Sequence, residues 1–359
     1  MYFLVILMKF LKIILKEART GKGLLVREVA HGLGIDQALV SKFEKGSRKP
    51  TRKQVAAMAV IYGVEEKELL VPWLGEKIVY ELLDEEYGAE ALQLAEDMAV
   101  YETKNKKPVH TVSLQKELKE SDLLKKQLTK FRHLDSYRIA QALELEYTFE
   151  SNRIEGNTLT LKETDLVVNE GLTISGKSMR EHLEAINHAH AIEFVKEMVN
   201  KKSVITERLL LQIHNLILRG IDNENAGCYR TVQVMIKGSK HTPPQPFLVA
   251  KQMEDYFAWY KKNKKHLHPV VLAAEMHEKL VTIHPFIDGN GRTARLLMNL
   301  ILLQHGFVIA NIKGDAKSRM AYYEALEKVQ VQKSNTAFVE FVAKEETTAL
   351  QQYINILTK

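Results

Sequence analysis

A single cysteine, Cys228, stands in a chain of 359 residues. An internal disulfide is therefore excluded, and the usage fits a reducing compartment such as the cytoplasm, with Cys228 expected to be a quiet structural thiol. Long hydrophobic runs are also missing. The one apolar stretch, MYFLVILMKFLKIIL at residues 1–15, is broken by Lys9 and Lys12 and is followed by no small-residue cleavage pattern. It is too short to span a bilayer, so a first helix packed on the next domain is expected, starting from Met1 or Met8, and no membrane partner. His266, His268 and His277 have no Cys or Asp set around them that would make a zinc site, which leaves them structural or surface roles. Finally, most of the chain lacks net charge. Residues 1–75 hold 13 basic and 7 acidic residues, so the remainder holds 51 − 13 = 38 basic and 45 − 7 = 38 acidic. The whole excess of +6 sits in the N-terminal fifth, which points to an anionic partner there, most simply nucleic acid.

What is present is ordinary in bulk: 45% hydrophobic residues, enough for a sizeable core, and a length that suits two or three domains. Residues 9–71 read as five short helices. Val26–Ala30 has helical apolar spacing and is broken by Gly32-Leu-Gly34. Asp36 is placed to cap a helix from Gln37 to Lys45 that stops at Gly46. Another runs from Arg52 to Tyr62, stops at Gly63, and a short one closes at Leu70. Helix, glycine-containing turn, helix is the helix-turn-helix plan. REVAHGLGIDQALVSKFEKGSRKPT resembles the phage-repressor/Cro family. The resemblance implies that the second helix enters the major groove of double-stranded DNA. Gln37, Ala38, Ser41 and Lys42 would then face bases, and Lys45, Arg48 and Lys49 phosphates. Such proteins often read paired half-sites as dimers, which points to a homodimer. A helical protein–protein module is the competing reading of this domain.

Residues 76–112 read as a connector, helical from Glu76 to Tyr101, with the polar break Lys104–Pro108 as the domain boundary. Residues 113–359 alternate long helical patterns with short loops. The exception is Val232–Ile236, which alternates and is β-branched, is followed by Gly238-Ser239 and closed by Pro243-Pro244; it predicts a small β-hairpin.

The chemistry concentrates in HPFIDGNGRTAR, His284 to Arg295. His284 is a base that works near neutral pH, and Asp288 is a hard oxygen ligand suited to Mg²⁺. Gly289, Asn290 and Gly291 let backbone N–H groups approach an anion closely. Arg292 and Arg295 are three apart and share a helix face. The apolar run Leu296–Leu303 makes this turn the N-terminus of a helix, where phosphate is favoured. Upstream, FESNRIEGNTLT places Ser151 and Glu155 on one helix face, with Gly156 as the stop. A glutamate at a helix C-terminus opposes the dipole unless a cation receives it.

The first segment matches HxFx(D/E)GNGRxxR and the second (S/T)xxxE(G/N), so the chain from about Leu114 to about Tyr353 resembles Fic-domain proteins. That resemblance implies a mainly α fold: a five-helix helix-turn-helix domain at 1–75, then an all-α Fic domain at 113–359. The latter would have an inhibitory helix at about 140–157, a catalytic core at about 180–345 and a hairpin flap holding an extended target. It implies transfer of AMP from ATP to a Ser, Thr or Tyr hydroxyl of a protein, the enzyme itself included. His284 would be the general base, and Asp288 would hold Mg²⁺ between the α- and β-phosphates. Gly289–Gly291 would form the anion hole, Arg292 and Arg295 would neutralise the leaving pyrophosphate, and Tyr322 and Tyr323 would line the adenine pocket. Glu155 is expected to take Arg295 in a bidentate pair and so to hold activity low. Two alternatives stay open: a transcription regulator whose Fic domain senses nucleotide, and a Fic enzyme that uses another nucleotide or removes AMP.

Overall fold

The computed structural model describes residues 10–82, 85–93, 95, 111–332 and 334–358. Met1, Met8 and the expected break at Lys104–Pro108 lie outside them. The chain divides into two compact units, 1–105 and 106–359. Among the described residues no helix is long and apolar enough to cross a membrane.

The first unit holds α1 (Leu11–Gly21), α2 (Val26–Leu33), α3 (Gln37–Lys45), α4 (Arg52–Tyr62) and α5 (Glu66–Leu82). Local chemistry sets these bounds. The Asp36 side chain accepts the Ala38 N–H at 2.6 Å at the start of α3, and Thr51 and Gln54 form a reciprocal cap on α4. Gly34, Gly46 and Gly63 take left-handed φ values that stop α2, α3 and α4. Leu15, Val29, Val40, Val55, Met58 and Leu69 are wholly buried in a core shared by all five helices. Arg19 on α1 forks onto both oxygens of Glu44 on α3 at 2.6 and 2.9 Å. α5 does not close at Leu70: it runs on through Pro72 to Leu82, past residue 75. A proline removes one helical donor, but Trp73 next to it donates its indole N–H to the Pro50 carbonyl at 2.8 Å and fixes the helix to the unit.

The second unit is built on α6 (Val112–Phe131), α7 (Tyr137–Ile154), α8 (Leu161–Val168), α9 (Met179–Asn200), α10 (Glu207–Leu218), α11 (Pro246–Asn263), α12 (Pro269–Ile283), α13 (Asn290–Gln304), α14 (Ala316–Gln332) and α15 (Thr336–Thr358). α12 and α13 form the central antiparallel pair. They are buried on nearly every face, which is why Leu296–Leu302 is apolar all round rather than a stripe, with the one polar residue, Asn299, hydrogen-bonded to the Ala310 backbone. α9 and α10 pack on α13, and α15 lies against α12 and α6.

The hairpin expected at Val232–Ile236 is not formed as paired strands, and the described residues contain no strand. Residues 231–245 instead make a loop with a turn at Gly238 (φ +78°), where the Ser239 N–H reaches the Ile236 carbonyl at 3.1 Å. One cross-link joins its two sides, the Gln233 amide to the Pro243 carbonyl at 2.9 Å. The physical reason is exposure. Met235 and Val232 face solvent, so no buried face fixes a register, and a lone two-stranded ribbon is marginal in water.

Candidate active site

The site forms where α12 gives way to α13. His284 caps α12 in the left-handed region (φ 51°), uncommon for a non-glycine residue and a form of stored backbone strain. Arg230 holds it there. Its Nε donates to the His284 carbonyl at 2.8 Å, while Nη1 and Nη2 donate to the carbonyls of Val232 (3.0 Å) and Pro244 (2.6 Å) at the two ends of the neighbouring loop. His284 Nδ1 lies 3.3 Å from the Val281 carbonyl, which favours the tautomer protonated at Nδ1 and leaves Nε2 as the lone-pair nitrogen. Burial, aided by Arg230, pushes the imidazole pKa down to about 4, so at neutral pH the ring is an uncharged base.

The turn after His284 is closed by its own side chains. Asn290 accepts the Phe286 N–H at 3.0 Å and donates to the Phe286 carbonyl at 2.9 Å. The Phe286 ring is buried and stacked 3.6 Å from His214. His214 Nδ1 accepts the Gly227 N–H, so Nε2 carries the proton and donates to the Asp288 carbonyl at 2.9 Å. Gly289 then caps α13 with φ +77°, packed so closely on His214 and Ile217 that a Cβ would meet them at 3.3 Å. This lets the first N–H groups of α13 face outward as an anion site.

Two arginines lie beneath that site, both almost fully buried. Arg292 sits between Glu184 (3.3 Å) and Asp288 (3.4 Å), and its Nε and Nη1 have no hydrogen-bond acceptor. Arg295 donates from Nε to Ser151 Oγ at 3.0 Å and from Nη2 to the Ser151 carbonyl at 2.8 Å and Glu155 Oε1 at 2.7 Å; its Nη1 has no acceptor. Burial opposes the Arg295 charge, but Glu155 overcomes this and holds the guanidinium above its ordinary pKa. The pair is therefore single-pronged, not bidentate: only Nη2 reaches Glu155, Ser151 holds the Nε–Nη2 edge, and Nη1 has no acceptor. Glu155 caps the C-terminus of α7, and Gly156 (φ +98°) turns the chain away. Its carboxylate lies directly over Gly291, where a Cβ would collide with Oε1. The unfavourable end of α7 is thus offset by Arg295 and the N-terminus of α13, and a carboxylate occupies the position an anionic ligand would use.

Asp288 offers one oxygen, Oδ1, to the Gly289 N–H at 2.6 Å, and the other, Oδ2, to Arg180 of α9. Burial would raise its pKa, but Arg292, the Gly289 N–H and Arg180 together hold it below the usual carboxylate range. No cluster of three or more potential metal ligands exists among the described residues. A single ionised oxygen donor at a phosphate-type cradle fits Mg²⁺, which uses one or two carboxylates and completes its shell with water and substrate phosphates.

The tyrosines part company. Tyr322 is buried, with its hydroxyl 3.2 Å from His277 Nε2 and its ring beside Arg295 and Phe338. Tyr323 is partly exposed and donates to the Ile154 carbonyl at 3.1 Å, at the end of α7. His277 is a core residue stacked on Phe338, and His268 accepts the Val270 N–H at the start of α12. In the first unit Gln37, Ala38, Lys42, Lys45, Arg48 and Lys49 are exposed and Ser41 is half-buried, while Lys49 lies over the Tyr80 ring at 4.8 Å. Sequence reasoning missed Arg180, Glu184 and His214, whose side chains look like ordinary helix residues, and it gave no role to Arg230.

Residues 204–302 match the Fic/DOC family model, and residues 15–69 match a helix-turn-helix model. Residues 204–302 are thus similar to the Fic/DOC family. The Fic segment is 38% identical over 211 residues to the protein adenylyltransferase Fic of Nematostella vectensis, covering 58% of this chain and 48% of that protein. It is 37% identical over 216 residues to protein adenylyltransferase fic-1 of Caenorhabditis elegans, covering 59% and 41%. The chain thus spans less than half the length of these relatives. Among solved structures, Fic-1 (residues 134–508) of C. elegans superposes with a TM-score of 0.61 at 26% identity, over 97% of this chain and 98% of that one. A Fic family protein of Desulfovibrio desulfuricans superposes with a TM-score of 0.61 at 28% identity, over 70% and 77%.

Proposed function

We propose that the protein is an autoinhibited adenylyltransferase that moves AMP from ATP to a hydroxyl side chain of a protein, itself included, and that its N-terminal helix-turn-helix unit binds double-stranded DNA. The observation that carries this reading is the Glu155 carboxylate on Arg295 above Gly291, beside an uncharged His284. The reading is supported by the grouping of His284, Asp288, Arg292 and Arg295 at one turn, with a carboxylate where a terminal phosphate would lie.

His284 Nε2 takes the proton from the target hydroxyl. The oxygen forms a bond to the α-phosphorus, and the bond from that phosphorus to the bridging oxygen of the leaving pyrophosphate breaks. The N–H groups at the start of α13 and the guanidinium groups of Arg292 and Arg295 would receive the phosphate charge, fixed in place before the reaction. Asp288 would hold Mg²⁺, which supplies further neutralisation of phosphate charge when bound. While Glu155 stays on Arg295, the arginine cannot take a phosphate and ATP binds unproductively. The loop at 231–245, fixed to His284 through Arg230, would receive an extended target segment along its backbone. On the first unit, the exposed face of α3 with Arg48 and Lys49 supplies the groove-reading and phosphate-binding side chains.

The test separates AMP transfer from phosphoryl transfer. With Glu155→Gly protein and Mg²⁺, label from α-labelled ATP enters protein and label from γ-labelled ATP does not. The reverse pattern would overturn the reading. DNA binding is checked by selecting the full chain on random duplexes; no sequence enrichment, with no salt-dependent retention, would count against that part.

A further inference from the structure

Asp288 is the carboxylate expected to take a divalent ion, yet neither of its oxygens is free. Oδ1 is held by the Gly289 N–H and faces Arg292, which is buried and packed beneath the site. Oδ2, the oxygen that must turn to a metal, accepts Nη2 of Arg180. A metal and a guanidinium cannot share that lone pair.

Arg180 differs from Arg292 in one respect that decides its part. Its side chain is 56% exposed, whereas Arg292 is 2% exposed, so Arg180 can leave at little cost. It also has a second partner, Glu184 on the next turn of α9, whose Oε1 accepts Nε at 3.2 Å. We propose that Arg180 is a stand-in cation that occupies Asp288 in the metal-free protein and is displaced when a divalent cation binds, a restraint separate from Glu155. This rests on the reading of Asp288 as the metal ligand.

The surroundings join the two restraints. Glu184, which holds Arg180, also faces Arg292 and accepts Nδ2 of Asn157 on Oε2 at 3.0 Å. Asn157 lies two residues beyond Glu155, and its Nδ2 also donates to the Glu181 carbonyl at 3.0 Å. The chain leaving the inhibitory helix is therefore pinned to the side chain that pins Arg180, and the metal-free, latched state is one connected set of ion pairs and hydrogen bonds. Arg180 is a positioning residue here: it acts on Asp288 and touches no reacting atom.

The probe is Mn²⁺ alone, titrated into the full chain and followed by loss of the free-ion EPR signal, in wild type, R180Q, R180K and D288N. An exposed pair plus one nearby positive charge sets the scale, so R180Q should bind Mn²⁺ about five- to tenfold more tightly, with R180K between. The gap should narrow as salt screens the pair. Equal affinity in R180Q and wild type, with D288N still losing binding, overturns the proposal and leaves the metal assignment standing. Binding that survives D288N overturns the metal assignment itself, and the proposal with it.

Discussion

Replacing Glu155 by glycine should both activate and loosen the second unit, and the size of each effect follows from what the carboxylate touches. It makes one charge-assisted hydrogen bond of 2.7 Å to a guanidinium that is 1% exposed, and its own side chain is 33% exposed. A hydrogen bond to a charged group is worth about 1.5–3 kcal/mol, and partial exposure places this one towards the lower end. If that energy is what keeps ATP from its productive pose, its loss raises the competent fraction, and hence initial AMP transfer at subsaturating ATP, by about 10- to 100-fold. Arg295 keeps Ser151 but loses its counter-ion, so Tm should fall by a few degrees, about 2–4 °C per kcal/mol for a unit of this size. ATP should restore more Tm to the glycine variant than to wild type, because phosphate then replaces the carboxylate. Glu155→Gln, similar in size but uncharged, should give an intermediate rate. An initial-rate assay with α-labelled ATP and a thermal melt on the same preparations decide the matter. Unchanged rate together with unchanged Tm would refute the latch.

Three further outcomes are expected. Gly291→Ala should cost stability in wild type, where the new Cβ meets Glu155 Oε1, and much less in a Glu155→Gly background; equal melting shifts in the two backgrounds would remove the close approach from the explanation. His284 is depressed to about pKa 4 by burial, and burial also drives His188 and His277 well below 6.5. The unfolded chain therefore takes up protons near pH 6.5 that the fold refuses, His284 until near pH 4, so stability is full above about pH 7 and falls as pH drops. His284 alone should cost about 2 kcal/mol at pH 5, which His284→Asn should abolish in urea melts at pH 7 and 5. Lys45→Ala on α3 should weaken duplex binding across all sequences and reduce the slope of log affinity against log salt by about one; a change confined to one operator position would reassign that lysine.

Much of this was legible in the sequence because it rests on local chemistry. Asp36, Thr51 and the left-handed glycines Gly34, Gly46 and Gly63 bound α3 and α4 with no tertiary help. Ser151 and Glu155 share a face at helical spacing, and the structure brings both onto Arg295. Other features depend on neighbours far along the chain. α5 passes Pro72 because Trp73 finds the Pro50 carbonyl. The alternating segment at Val232 has no buried partner and stays a loop. Guanidinium geometry alone favours a bidentate Glu155–Arg295 pair, but Ser151 takes half of the fork. Arg180 and Glu184 read as an ordinary i,i+4 surface pair; only the fold, which brings α9 against the turn before α13, sets them on Asp288 and Arg292.

The most direct single measurement is incorporation of label from α-labelled ATP with Mg²⁺ in wild type, Glu155→Gly, and Glu155→Gly combined with His284→Ala. Low incorporation in wild type, a rise of at least about tenfold in the single variant and loss in the double variant are expected together. Label that persists without His284, or a glycine variant no more active than wild type, would contradict a His284-driven transfer restrained by Glu155.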